Sequence, residues 1–155
     1  MFNVCSRYLK QDEDAEDVLS RAFTKIFHSI VRFEYRENKS LKAWIKRIMI
    51  NECLMELRKK NSLTLVSEDE AEEVSFNDPG LEQIDAVYII DAIKTLPAGY
   101  RAVINLFAIE GYSHAEIAEM LGINEGTSRS QLNKARRLLK QKLLTETENY
   151  GQRKI

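Results

Sequence analysis

Cysteine is scarce in this chain. Its two cysteines, Cys5 and Cys53, are too few and too far apart in sequence for a disulfide framework or a zinc knuckle. Buried or idle thiols in a reducing cytoplasm are the expectation. Histidine is as sparse, and His28 and His114 have no metal-ligand spacing. Neither a nucleophile elbow nor a phosphate-cradling glycine loop occurs. Asp12, Asp14 and Asp17 lack the glycine and terminal glutamate of a calcium loop, and acids that open a helix usually serve its dipole. So no catalytic residue, metal, cofactor or small-molecule substrate is expected. Long apolar runs are missing too, and the N-terminus lacks the basic-then-apolar layout of a signal peptide. A cytoplasmic protein without direct membrane insertion is the expectation. Strand alternation, internal repeats and low-complexity tracts are absent as well.

The last absence is local. Residues 61–91 contain no Lys or Arg and 9 acids, whereas residues 1–60 carry 13 basic and 9 acidic residues and 92–155 carry 10 and 6. Two mildly basic blocks flank an acidic connector. The net charge of −1 therefore does not argue against a nucleic-acid partner, since local patches set the field it feels.

What is present is helical periodicity. Met1 to Lys10 reads as the tail of a helix through Phe2, Cys5 and Leu9. Asp14 to Phe33 follows, with Asp14 as cap and Val18, Ala22, Phe23, Ile26, Phe27 and Ile30 on one stripe. Glu34 to Lys39 is a polar loop. Ser40 then caps a helix to about Lys60, with Leu41, Trp44, Ile45, Ile48, Met49 and Leu57 inward; Trp44 is read as core rather than as a stacking platform. Beyond the connector, Leu81–Thr95, Pro97–Glu110, Ser113–Leu121 and Glu125–Leu144 are predicted helices. The predicted fold is all-α: two small helical domains joined by an acidic linker. The boundaries are 1–60, linker 61–80, a second domain at 81–145 and a tail at 146–155.

The densest signal runs from Tyr112 to Lys142, a short helix, a Leu-Gly-Ile turn and a basic helix. That is a helix-turn-helix, winged-helix-like but with no wing. Ser113 and Glu116 form a capping-box pattern, and Gly122 supplies the left-handed conformation of the turn. Asn124 or Thr127 caps the next helix. On a wheel of about 100° per residue, Leu132, Ala135 and Leu139 point inward. Ser130, Asn133, Lys134 and Arg137 point the other way, flanked by Arg129, Arg136 and Lys140. Between Gly126 and Thr145 there are six cations and no acid, so nothing on that stretch repels a phosphate backbone. Ser128 stands where such motifs usually carry an apolar residue.

Three runs in the first block carry a further likeness: Asp14-Ala15-Glu16-Asp17-Val18-Leu19, Phe23-Thr24-Lys25-Ile26-Phe27 and Ala43-Trp44-Ile45-x-Arg47-Ile48-x-x-Asn51. This pattern resembles the promoter-melting domain of extracytoplasmic-function (ECF) bacterial sigma factors. Leu96-Pro97-x-x-Tyr100-Arg101 and Glu110-Gly111-Tyr112-Ser113-x-x-Glu116-Ile117-Ala118 resemble the family's C-terminal domain. The resemblance implies a non-enzymatic initiation subunit that gives RNA polymerase its promoter choice. It implies that Glu16, Asp17, Arg21 and Lys25 dock on the β′ clamp helices of the core enzyme, with the β flap a second contact. Arg36, Lys39, Lys42, Lys46, Arg47, Asn51 and Arg58 would engage the melted −10 strand. Thr127, Arg129, Ser130, Gln131, Asn133 and Lys134 would read the −35 duplex, with Arg136 and Arg137 on its backbone.

Promoter DNA and an anti-sigma factor are the other implied partners, and the holoenzyme would sit on the nucleoid. In the family the first domain starts about one helix earlier. Residues 1–60 are therefore expected to lack that helix and to expose apolar surface between Val18 and Ile30. Met55, where relatives often carry an aspartate, receives no DNA role. The alternative reading is a stand-alone helix-turn-helix repressor or activator, which would bind palindromic DNA unaided as a dimer.

Overall fold

The structure, a computed structural model, describes residues 1–35, 37, 40–60 and 86–152. The acidic linker, Arg36, Lys39 and the helix start expected at Leu81 lie outside the described residues. Among the described residues every regular element is helical, and no helix is long and apolar enough to cross a membrane. The chain divides into two compact units, Met1–Leu63 and Thr64–Ile155.

The first unit holds α1 (Phe2–Tyr8), α2 (Asp12–Ser29) and α3 (Ser40–Lys59), all in mutual contact. α2 begins two residues before the cap expected at Asp14. Asp12, Glu13 and Asp14 all sit in its first turn, where the dipole favours them. Asp14 reaches across instead and accepts from Lys60 Nζ at 2.5 Å. α2 ends in a short 3-10 turn, Ile30–Arg32.

Ala15, Val18, Ala22 and Ile26 form the buried stripe of α2. Phe23, Phe27 and Ile30, predicted to lie on it, are exposed. The small side chains Ala15 and Ala22 on that stripe are of the kind that let two helices approach closely, and a narrow seam leaves the aromatics outside. On α3 the core sits further along than expected. Met49, Ile50, Cys53, Leu54 and Leu57 are buried, while Leu41 is exposed and Trp44, Ile45 and Ile48 are half-buried. Trp44 instead packs on Phe33, ring centroids 5.0 Å apart. The two cysteines, remote in sequence, come close together here as free buried thiols.

Two acids are also buried on α3, Glu52 and Glu56. A buried carboxylate persists only when paired. Glu56 accepts from Arg21 at 2.5 Å, Glu52 pairs with Lys25, and Lys60 closes the row on Asp14. Positions 14, 21 and 25 of α2 thus meet Lys60, just past the end of α3, and positions 56 and 52 within it, an antiparallel ladder that fixes the register of the two helices.

The second unit holds α4 (Ala86–Lys94), α5 (Ala98–Ile104), α6 (His114–Leu121) and α7 (Glu125–Gln152). Pro97 precedes α5 as its cap residue. Arg101, buried within α5, donates to the carbonyls of Lys94 and Leu96 at 3.0 and 2.9 Å. A cation thus satisfies orphan carbonyls at the negative end of α4. Burial alone pushes its guanidinium below the usual range. The predicted helix to Glu110 continues past α5 only as a π-turn, Asn105–Ile109, closed by the Glu110 N–H on the Asn105 carbonyl at 3.0 Å. α7 extends to Gln152, through the start of the stretch read as a tail.

Candidate nucleic-acid interface

Ser113 caps α6 reciprocally. Its hydroxyl accepts from the Glu116 N–H, and the Glu116 carboxylate accepts from the Ser113 N–H at 2.8 Å. Gly122 ends the helix at φ 69°, the left-handed region where a side chain would be strained. The Ile123 N–H then reaches back to the Ala118 carbonyl at 3.0 Å, closing a Schellman turn. Asn124 starts α7, its side-chain oxygen accepting from the Thr127 N–H at 2.7 Å. The turn between α6 and α7 is thus fixed by local bonds alone.

α7 packs against α6, α5 and α4. Three partners cover more of its circumference than the one crossing the sequence wheel assumed. Ser128, Gln131, Leu132, Lys134, Ala135, Leu139 and Leu143 are all buried. Two residues assigned to base edges are therefore corrected. Gln131 is 0% exposed and Lys134 is 8% exposed, both turned into the packed arc. The outer face presents Arg129 and Arg137 as exposed side chains, with Thr127, Ser130, Asn133 and Arg136 half-buried beside them. Arg129 is held ready by Glu125 one turn back, at 2.6 Å. An exposed pair of this kind is worth about 0–1 kcal/mol, so the guanidinium leaves it at little cost.

A second surprise lies at Ser128. Its hydroxyl is fully buried and shares a 2.8 Å hydrogen bond with His114 Nδ1. His114 in turn stacks on Phe107, centroids 4.6 Å apart, and the Arg136 guanidinium lies 5.7 Å from the centre of the same ring. Desolvation, then the charges of Arg129 and Arg136, hold the imidazole pKa below its usual 6.5, with Glu125 opposing. A folded pKa below the unfolded one means the unfolded chain binds a proton that the folded chain refuses. The contribution is complete above pH 6.5 and is lost as pH falls through the lowered value. Thermal melts at about pH 7.5 and 5.5 should show the second unit of wild type losing more stability on acidification than His114→Gln. Equal losses would dismiss His114 as the source.

In the first unit, α3 presents Lys42, Arg47, Asn51 and Arg58 as exposed side chains, with Lys46 half-buried. Arg47, Asn51, Met55 and Arg58 recur at helical spacing on one open face. Arg36 and Lys39 lie outside the described residues. On α2, Glu16 and Asp17 are exposed, and Asp17 lies near enough to Lys60 at the end of the ladder to favour its charge. Arg21 and Lys25, also assigned to docking, are about half exposed, and each pairs with a buried acid of α3, so both are also struts between helices. Sequence reasoning missed Phe23 and Phe27, which extend the Glu16–Asp17 face as a contacting aromatic pair 6.3 Å apart. Phe27 is 71% exposed. Sequence reasoning also missed the buried acids. Glu52 and Glu56 at i, i+4 opposite Arg21 and Lys25 at i, i+4 was the available signal.

Comparison with known proteins accounts for both units. Residues 1–63 match Sigma-70 region 2, and residues 86–139 match Sigma-70 region 4. The ECF RNA polymerase sigma factor SigE of Mycolicibacterium smegmatis is 28% identical over 98% of this chain, which spans 60% of that relative's length. The RNA polymerase sigma-E factor of Streptomyces coelicolor is 30% identical over 89% of this chain and 76% of its own. Among solved structures, the sigma factor RpoE of Bartonella quintana, crystallised with the anti-sigma factor NepR, aligns with a TM-score of 0.57. That alignment has 26% identity and covers 93% of this chain and 89% of RpoE. With both sigma regions present in order on the two helical units, the chain belongs to the ECF sigma factors of RNA polymerase.

Proposed function

We propose that the chain is a dissociable, non-enzymatic initiation factor that directs bacterial RNA polymerase core to chosen promoters. The observation that carries this is the outer face of α7, a capped helix-turn-helix that presents Arg129 and Arg137 in the open with Ser130 and Asn133 half-buried between them. Arg prefers guanine edges, Asn prefers adenine, and Ser is permissive, so this set can read a −35 duplex. Thr127, Arg136 and Arg137 hold its backbone. Lys42, Lys46, Arg47, Asn51 and Arg58 on α3 grip the separated −10 strand, where cations offset the few kcal/mol lost per unstacked base. Arg36 and Lys39 belong to this set by sequence.

Docking on the β′ clamp helices uses Glu16 and Asp17 with Phe23 and Phe27 as apolar anchors, the composition of an interface centre with a charged rim. The β flap meets the C-terminal unit. An anti-sigma factor is the expected antagonist, since RpoE of Bartonella quintana is held by one. The site of action is the cytoplasm, on the nucleoid when core is bound.

Run-off transcription and gel shift on a promoter library, with and without purified core polymerase, test this reading. Specific binding and transcripts should require core. Tight sequence-specific binding by the free chain would instead favour the repressor reading, which the two sigma regions do not favour.

A further inference from the structure

Ser128 is a fully buried polar residue near the start of α7, at a place where an apolar side chain would serve packing. A buried hydroxyl is costly unless bonded. Its hydroxyl shares its hydrogen bond with His114 Nδ1, at the first residue of α6, where a serine in a helix usually turns to the carbonyl one turn back. From His114 the contacts continue through the Phe107 ring to the Arg136 guanidinium. Both ends of this side-chain relay therefore lie on α7, eight residues apart, or about 12 Å along the axis. Arg129, Ser130 and Asn133 fall between them. The middle of the relay is carried by two other elements, α6 and the π-turn after α5.

We propose that His114 is a positioning residue for promoter reading: with Ser128, Phe107 and Arg136 it clamps α7 at two points and so fixes the rotation of the segment between them. This rests on α7 reading the −35 duplex. A directional bond specifies rotation about the helix axis, whereas apolar packing tolerates small rolls. Base-edge contacts need the angular setting more than general phosphate contacts do. Phe107 serves both ends, holding His114 flat and giving Arg136 a fixed resting place. The clamp is thus a device for discrimination between sequences and contributes less to overall affinity.

The test uses holoenzyme assembled from the full chain and core polymerase, at a temperature well below the melting of every variant. The readout is the ratio of promoter affinities with the preferred and a scrambled −35 element. Ser128→Ala removes the hydroxyl, and His114→Phe keeps the stack on Phe107 while removing the bond. Each should cut the ratio by about five- to tenfold. The double variant should be no worse than the poorer single, and Ser128→Thr should stay within about twofold of wild type. Affinity for the scrambled element and for core should be unchanged throughout. An unaltered ratio in both single variants, or fully additive losses, overturns the clamp. Indifference of the wild type to scrambling overturns the −35 reading itself, and with it the clamp, before any variant is made.

Discussion

Reversing Arg129 to Glu is expected to cut −35-dependent run-off transcription by about thirtyfold or more, with core binding and melting temperature unchanged. The side chain is 58% exposed, and its pairing with Glu125 is a surface pair that contributes little to folding. What the reversal removes is therefore a DNA contact, worth about 1–3 kcal/mol if bidentate to guanine. It also places an anion against the phosphates. Arg137→Glu, likewise on the open face, should act through the backbone: weaker binding to all sequences and a salt dependence shallower by about one unit of slope.

The buried neighbours supply the contrast. Lys134→Glu forces a carboxylate into the packed arc, so its loss of transcription should come with a lowered melting temperature. Gln131→Glu should behave in the same way. Normal transcription from Arg129→Glu holoenzyme would remove this face from the reading of DNA.

Why the sequence located some of these residues and misplaced others follows from the range of the forces involved. The Ser113–Glu116 box, the Gly122 turn and the Asn124 cap each close within about five residues, so their chemistry is readable in a short window. The helices themselves rest on the same local periodicity. The burial of Gln131 and Lys134 escaped the wheel because α7 packs against elements far away along the chain, α4 and α5 among them. A helical wheel knows which residues share a side; it does not know how many neighbours that side will meet.

The same holds for α2, where two apolar stripes competed. Ala15, Val18, Ala22 and Ile26 won because α3 offers Glu52 and Glu56 at matching height for Arg21 and Lys25. The π-turn at Asn105–Ile109 and the His114–Ser128 bond had no local signature at all. Each depends on a partner from another element or on one extra residue in a helical turn. Ser128 looked like a packing defect only because its partner was invisible.

Arg21→Glu is the second large effect expected, and it separates folding from docking on α2. Removing the partner of a buried charge typically costs about 3–5 kcal/mol. Here Arg21 is 46% exposed, so solvent screens part of the interaction and about 2 kcal/mol is the better expectation. The new carboxylate also faces Glu56 and the neighbouring Glu52, adding like-charge repulsion. For a unit of this size the melting temperature should fall by roughly 10 °C. The exchange Arg21→Glu with Glu56→Arg should recover much of that loss, because the pair survives in reverse.

Glu16→Lys and Phe27→Ala touch no part of the ladder. Each should leave the melting temperature within about 2 °C of wild type, as exposed substitutions usually do. Each should still weaken association with core polymerase in a fluorescence titration, Phe27→Ala by tenfold or more if the aromatic pair is a true anchor, about 1.4 kcal/mol. The two sets of variants thus predict opposite columns of results. Were Arg21→Glu to melt like wild type yet lose core affinity, the salt bridge to Glu56 would be incidental and Arg21 would belong to the docking surface alone.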